Sequence, residues 1–122
     1  MAEFHEDNLS QEAKEFHRII QSVIEELEAV DWYNQRADVT DDPQIKAIVE
    51  HNRDEEIEHA CMGLEWLRRN YKVFDEELNT YLFTSGDITA IEEGEEAEDA
   101  EEASSNSGTQ SLGIQSLKGG NN

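Results

Sequence analysis

The apolar residues of the first 70 positions recur at the spacing of a helix, and the chain's only proline interrupts them once. Between Ser10 and Ala37 this spacing predicts an amphipathic α-helix. Asp42 and Pro43 then predict a stop and a restart, because aspartate caps a helix and proline fits its first turn. A second helix is predicted from Pro43 to about Arg69. The apolar stripe of the first helix consists of Phe16, Ile19, Ile20, Val23, Leu27 and Val30.

A third, shorter helix is predicted around residues 74–83, with its apolar face formed by Phe74, Leu78, Tyr81 and Leu82. The predicted fold class is therefore all-α: an antiparallel two-helix hairpin plus a short C-terminal helix. A folded part of about 80 residues is marginal for a monomeric core. Three helices on one chain can form a small bundle, whereas two hairpins from two chains bury more surface as four helices. Composition leaves both arrangements open.

Charge and composition exclude several classes of protein. Thirty acidic residues against nine Lys and Arg give a net charge of −21, which repels the phosphates of nucleic acids. No apolar run reaches the roughly 18 residues that a membrane-spanning helix needs. The polar N-terminus lacks the core of a signal peptide, and one cysteine, Cys61, cannot form an intrachain disulfide. We therefore expect a cytoplasmic protein without nucleic-acid or membrane partners, with Cys61 as a small packing residue.

The acidic residues concentrate after the third helix. Nearly every residue from Glu92 to Glu102 is acidic, and Ser, Gly, Asn and Gln follow. Such a stretch buries too little apolar surface to offset the entropy of ordering it. We predict a flexible N-terminus at residues 1–8, a helical domain at 9–84, a disordered linker at 85–110 and a terminal segment at 111–122.

Charged residues fall within the apolar stripes of both long helices. Glu56 and His59 are three residues apart and share a face of the second helix. Ala60 and Gly63 on that face are small and leave room for another element or an ion. On the first helix, Glu26 points close to the direction of the apolar residues. A carboxylate in an apolar stripe is costly unless it is paired or binds a metal. The direction in which they point on their helices therefore distinguishes Glu26 and Glu56 from the other acidic residues.

This combination is suitable for iron, which both carboxylate and imidazole bind. Di-iron carboxylate bundles use a Glu from each of two helices and a Glu-x-x-His from each of the other two. This chain has one such glutamate, Glu26, and one such motif, from Glu56 to His59, which is half of the set. Two chains related by a twofold axis would complete it at their interface. The motif also arises by chance in a glutamate-rich helix, so a structural role stays open at this point.

Four segments resemble the encapsulated ferritin family: SVIEELEAVDWY at residues 22–33, HNRDEEIEHA at 51–60, LEWLRR at 64–69 and TYLFT at 80–84. The resemblance implies hairpins that dimerise into a ferritin-like four-helix bundle, with dimers assembling into a ring, commonly a decamer. It implies a ferroxidase with iron at the dimer interface, and we expect it to oxidise Fe(II) to Fe(III) with oxygen as the oxidant and two iron ions per subunit dimer. The implied ligands are Glu26, Glu56 and His59.

The resemblance also implies roles for residues near the iron site and a partner protein outside the ring. The family has an outer cluster on the entry path of the metal, and its positions correspond to Glu25, Glu28 and Trp32. Tyr33 corresponds to a tyrosine near the iron site. Members of the family are cargo of an encapsulin nanocompartment, which holds the mineral. The segment SLGIQSLK at residues 111–118 resembles an encapsulin targeting peptide, whose apolar side chains would be Leu112, Ile114 and Leu117. The alternatives are a non-catalytic metal-binding cargo or adaptor protein and an inert dimerisation hairpin.

Overall fold

The computed structural model describes residues 4–94, and within that range the chain is helical without strands. Helix α1 spans Gln11–Val39, α2 spans Pro43–Asn70 and α3 spans Lys72–Tyr81. Residues 88–94 are also helical. The helices α1 and α2 pack against each other as a hairpin, which confirms the predicted all-α class. None of the described helices is long and apolar enough to cross a membrane.

Both long helices begin at capping side chains. The Ser10 hydroxyl accepts a hydrogen bond from the Ala13 N–H at 3.0 Å. The Asp42 carboxylate accepts two hydrogen bonds, at 2.8 and 3.2 Å, from backbone N–H groups of the first turn of α2. Pro43 is the first residue of α2, as the sequence predicts. These caps satisfy donors that have no partner inside a helix, so the turn between α1 and α2 needs only residues 40–42.

The core of the hairpin is small, and its buried apolar residues are Val23, Ala37, Ala60 and Leu67. The two helices approach most tightly at Gly63, where an added Cβ would lie 2.5 Å from Cγ2 of Val23. Helix α1 therefore fills the room that the small Gly63 leaves. Glu26 lies one turn beyond Val23 on α1, and His59 lies one turn before Gly63 on α2. In an antiparallel pair, this close approach places Glu26 opposite His59.

Replacing Gly63 by alanine is expected to destabilise the hairpin. The branched Val23 side chain has few rotamers, so it cannot turn away from a new methyl group without moving the helices. Overpacking costs about 1–3 kcal/mol, and alanine's better helix propensity offsets no more than about 1 kcal/mol of it. Thermal unfolding followed by circular dichroism should show a lower melting temperature. Gly94→Ala is the control, because an added Cβ there meets no atom within 4 Å; equal melting temperatures for the two variants would contradict the close contact.

Much apolar surface of the hairpin is uncovered in the single chain. Leu27, a member of the predicted apolar stripe, is 52% exposed, so α2 does not cover the whole stripe in one chain. The period of a helix gives a direction for Leu27 but does not say how far the single neighbouring helix extends over it. Cys61 is also exposed, so it does not pack inside the chain as predicted. Four isoleucines are between 43% and 52% exposed: Ile24, Ile45, Ile48 and Ile57.

The described part of the chain divides after Tyr71 into two compact units. In the second unit, α3 lies close to the predicted span. The predicted disorder from residue 85 is wrong for residues 88–94, which are helical. The Asp87 carboxylate accepts hydrogen bonds from the backbone N–H and the hydroxyl of Thr89, at 3.0 and 2.9 Å. This cap begins a helix where the acidic composition alone indicated an open chain. The rest of the predicted linker and the segment 111–122 lie outside the described residues.

Candidate metal centre

Three of the predicted site residues come together between α1 and α2. Glu26 projects from α1, and Glu56 and His59 project from α2 one turn apart. Each offers one donor atom, and these atoms lie within 4.8 Å of one another. All three side chains are half-buried. The cluster forms within one hairpin, because the contact of Gly63 with Val23 holds the two helices close beside it.

The imidazole of His59 lies against carboxylates of its own helix. Its Nδ1 atom lies 3.4 Å from Oε1 of Glu56, and its Nε2 atom lies 3.9 Å from Oε1 of Glu55. The Glu55 contact was not predicted, because helical directions placed this residue outside the stripe of Glu56. The spacing of four residues between Glu55 and His59 was the signal that would have revealed it.

The Glu26 carboxylate lies in a partly buried position between the helices. Its Oε1 atom is buried and has no hydrogen-bond partner. Burial raises the pKa of the Glu26 carboxyl, the nearby Glu56 and Glu25 carboxylates raise it further, and His59 partly opposes them. A buried oxygen without a donor costs free energy unless a proton or a cation reaches it. The site therefore favours the binding of a proton or a cation.

The donor set fits a divalent metal ion. Two atoms bound to one ion lie no more than about 4.2 Å apart, since each bond is about 2.1 Å long. The pair of Glu56 and His59 already meets this limit at 3.4 Å. The full set spreads up to 4.8 Å, and small rotations of the flexible glutamates would close it.

Glu26→Gln is expected to stabilise the metal-free protein at neutral pH. Because the Glu26 pKa is raised by folding, the folded chain holds this proton more strongly than the unfolded chain does. The carboxyl therefore favours folding only at low pH, and this contribution is lost as the pH rises through the raised pKa. Glutamine removes the charge that is penalised at pH 7. Melting temperatures in the presence of chelator should be higher for Glu26→Gln at pH 7, and the difference should shrink below about pH 4. A lower melting temperature at pH 7 would contradict the burial of Glu26.

The other predicted site residues lie around the cluster. Glu25 and Glu28 are exposed on α1, and Glu25 is close enough to raise the Glu26 pKa. Trp32 is half-exposed. Tyr33 is half-buried, and the guanidinium carbon of Arg36 lies 5.3 Å from the centre of its ring. The roles of these residues stay predictions, and Leu112, Ile114 and Leu117 lie outside the described residues.

Comparison with known proteins identifies relatives that this chain matches over most of their length. The sequence profile of the EncFtn-like family matches residues 2–85. An encapsulated ferritin-like protein of Rhodospirillum rubrum is 56% identical over 116 residues, which cover 91% of this chain and 83% of the relative. A ferritin-like protein of Thermotoga maritima is 53% identical over 93 residues, covering 75% of this chain and 82% of that protein. The crystal structure of protein ne0167 from Nitrosomonas europaea, 53% identical, superposes with a TM-score of 0.69 over 71% of this chain and 98% of that one. This chain belongs to the EncFtn-like family.

Proposed function

We propose that this protein is a ferroxidase, which binds Fe(II) between two subunits and promotes its oxidation to Fe(III). The observation that supports this most is the cluster of Glu26, Glu56 and His59, with a buried Glu26 oxygen that lacks a partner. Family membership supports the choice of iron among divalent metals, since two relatives are named ferritin-like. Iron is the substrate as well as the bound ion.

The cluster supplies half of a di-iron site. Di-iron bundles draw a Glu from each of two helices and a Glu-x-x-His from each of two others. One hairpin provides Glu26 and the motif from Glu56 to His59, so a second copy related by a twofold axis completes the set. The pair of subunits then holds two iron ions. The exposed apolar residues of the hairpin, such as Leu27 and Ile24, favour such pairing. Further assembly of dimers into a ring, commonly a decamer in the family, belongs to this proposal.

The side chains bind the ion, lower the barrier to its oxidation and admit it to the site. The anionic carboxylates of Glu26 and Glu56 would stabilise Fe(III) more than Fe(II), and the His59 imidazole completes the ligand set. Each Fe(II) loses one electron, which dioxygen accepts. Glu25 and Glu28 are exposed acidic residues on the same helix as Glu26. Their negative charges attract ferrous ions to an outer site near Trp32. Tyr33 lies on the same helix two turns beyond Glu26.

The partner outside the oligomer is an encapsulin shell protein, inside which the oxidised iron becomes mineral. The Rhodospirillum rubrum relative, which is named an encapsulated ferritin-like protein, supports this partner. The match to it covers 91% of this chain, so it must extend beyond residue 94. In residues 111–122, Leu112, Ile114 and Leu117 are the side chains proposed to bind the shell. The location that follows is the cytoplasm, within the nanocompartment.

Dioxygen uptake tests the proposed reaction against its alternatives. Full-length protein is mixed anaerobically with Fe(II), and air is then admitted while dissolved oxygen and Fe(III) absorbance are recorded. A ferroxidase accelerates oxygen consumption above that of Fe(II) in buffer. A metal-binding adaptor without turnover, or an inert hairpin, leaves the buffer rate unchanged, and that result would reject the proposed activity.

Fe(II) is expected to drive association of the subunits. Pairing two hairpins brings four carboxylates together, two from Glu26 and two from Glu56, which repel without a cation. Two ferrous ions compensate this charge, so metal binding and association are linked. Native mass spectrometry should show larger species with Fe(II) than with chelator at the same protein concentration. The Glu26→Gln variant should respond more weakly, and identical masses in both conditions across a wide concentration range would contradict the linkage.

A further inference from the structure

The two nitrogens of the His59 ring face two different carboxylates of α2. Nδ1 lies 3.4 Å from Glu56, which belongs to the metal cluster, and Nε2 lies 3.9 Å from Glu55. Glu55 precedes His59 by four residues, the spacing at which side chains of one helix meet. The Glu55 side chain is 49% exposed and lies outside the set of donor atoms that converge with Glu26. It therefore approaches the ring from the side away from the cluster.

We infer that Glu55 is a positioning residue of the metal centre: it accepts the Nε2–H of His59 and thereby presents the Nδ1 lone pair to the metal. This inference rests on the proposed function, since it needs His59 to be a ligand. A neutral imidazole has one N–H and one lone pair, and only the lone pair binds a metal. Histidines that bind metals nearly always donate their other N–H to a carboxylate, a carbonyl or water, which fixes the tautomer and the ring orientation.

The 3.9 Å contact becomes a hydrogen bond after a shift of about 1 Å. Glu55 has several rotatable bonds and an exposed carboxylate, so such a shift meets little resistance. A cation bound at Nδ1 draws electron density from the ring and makes Nε2–H a stronger donor. The contact between His59 and Glu55 therefore tightens when the metal binds, and it stabilises the bound state more than the free one.

Glu58 provides a matched control on the same helix. It is also an exposed glutamate and is the chain neighbour of His59, so its removal changes the charge near the site by the same amount. It points about a quarter turn away from His59, because successive residues are about 100° apart on a helix. A general electrostatic effect on cation binding should therefore act through both glutamates, whereas a positioning effect should act through Glu55 alone.

The experiment uses Co(II), which does not turn over and whose visible spectrum reports its ligands. Anaerobic titrations of the full-length protein, at one protein concentration, compare wild type with Glu55→Ala, Glu55→Gln and Glu58→Ala. We expect Glu55→Ala to weaken Co(II) binding about tenfold, within the usual range for partners of metal-bound histidines, and to alter the Co(II) spectrum. Glu55→Gln keeps an acceptor oxygen and should recover part of the affinity. Glu58→Ala should bind as wild type, and circular dichroism should show the same helix content throughout.

The His59→Ala background decides whether Glu55 acts through the ring. In that background, adding Glu55→Ala should cause no further loss of Co(II) affinity, because the group that Glu55 positions is absent. Wild-type affinity in Glu55→Ala would overturn the inference and leave the ligand set intact. An equal loss from Glu55→Ala with and without His59 would also overturn it. Wild-type affinity in His59→Ala itself would reject the ligand set, and the positioning role with it.

Discussion

Alanine at Glu26, Glu56 or His59 should lower the rate of Fe(II) oxidation by more than about 100-fold. Loss of a group that merely supports a ligand costs about 10–100-fold, and each of these residues supplies a donor atom of the cluster. In the proposed twofold-symmetric dimer, each single change would remove two ligands from the site. Stopped-flow absorbance of Fe(III), at saturating Fe(II) and air, measures the effect.

The double variant Glu25→Ala, Glu28→Ala is the control for these three. It removes two exposed acids from the same surface without touching the donor atoms. Its oxidation rate should fall at low iron, where an outer site matters, and recover when iron is saturating. Wild-type rates in all three single variants would contradict the ligand assignment. Complete loss of iron binding in the double variant would show that the inner and outer sites are interchanged.

Deleting residues 111–122 should abolish loading into an encapsulin shell and leave oxidation by the free protein unchanged. Leu112, Ile114 and Leu117 can each contribute at most about 1.5–3 kcal/mol on burial, and the cost of ordering the peptide reduces their sum. One peptide therefore binds weakly. The proposed ring would present many copies on tethers, and their combined retention would greatly exceed that of one. Co-expression with the shell protein and size-exclusion chromatography measure the loading.

The control for this deletion changes side chains without shortening the tail. Replacing Leu112, Ile114 and Leu117 together by serine should reduce loading as strongly as the deletion does. Replacing Ser111 and Ser116 by alanine should not reduce it. Normal loading of the truncated protein would show that the helical domain carries the targeting determinant, contrary to the proposal.

The hairpin is predictable from sequence because its signals are local. Ser10, Asp42 and Pro43 mark where helices start through contacts within a few residues, and the observed bounds follow them closely. Direction around each helix also indicated that Glu26, Glu56 and His59 would lie between α1 and α2. That these side chains converge to within 4.8 Å depends on how closely the helices approach, which no local pattern specifies.

The features that local sequence patterns do not predict depend on residues distant in the chain or on the conformation of single side chains. The contact of Gly63 with Val23 joins residues forty positions apart, and only the packed pair of helices shows it. Leu27 follows the apolar period but lies past the edge that α2 covers. Helical direction places Glu55 outside the stripe of Glu56, yet its flexible side chain lies close to His59. At residues 88–94, the cap at Asp87 outweighed a composition that indicated an open chain.

We propose that one hairpin holds half of an iron-oxidising site and that two hairpins complete it. The most direct measurement follows Fe(III) absorbance and native mass in the same sample, as Fe(II) is added anaerobically and air is then admitted. We expect rapid oxidation only in fractions of dimer mass or larger, with the fast phase saturating at two iron ions per dimer. Equal oxidation rates per chain in monomeric and associated fractions would contradict the claim.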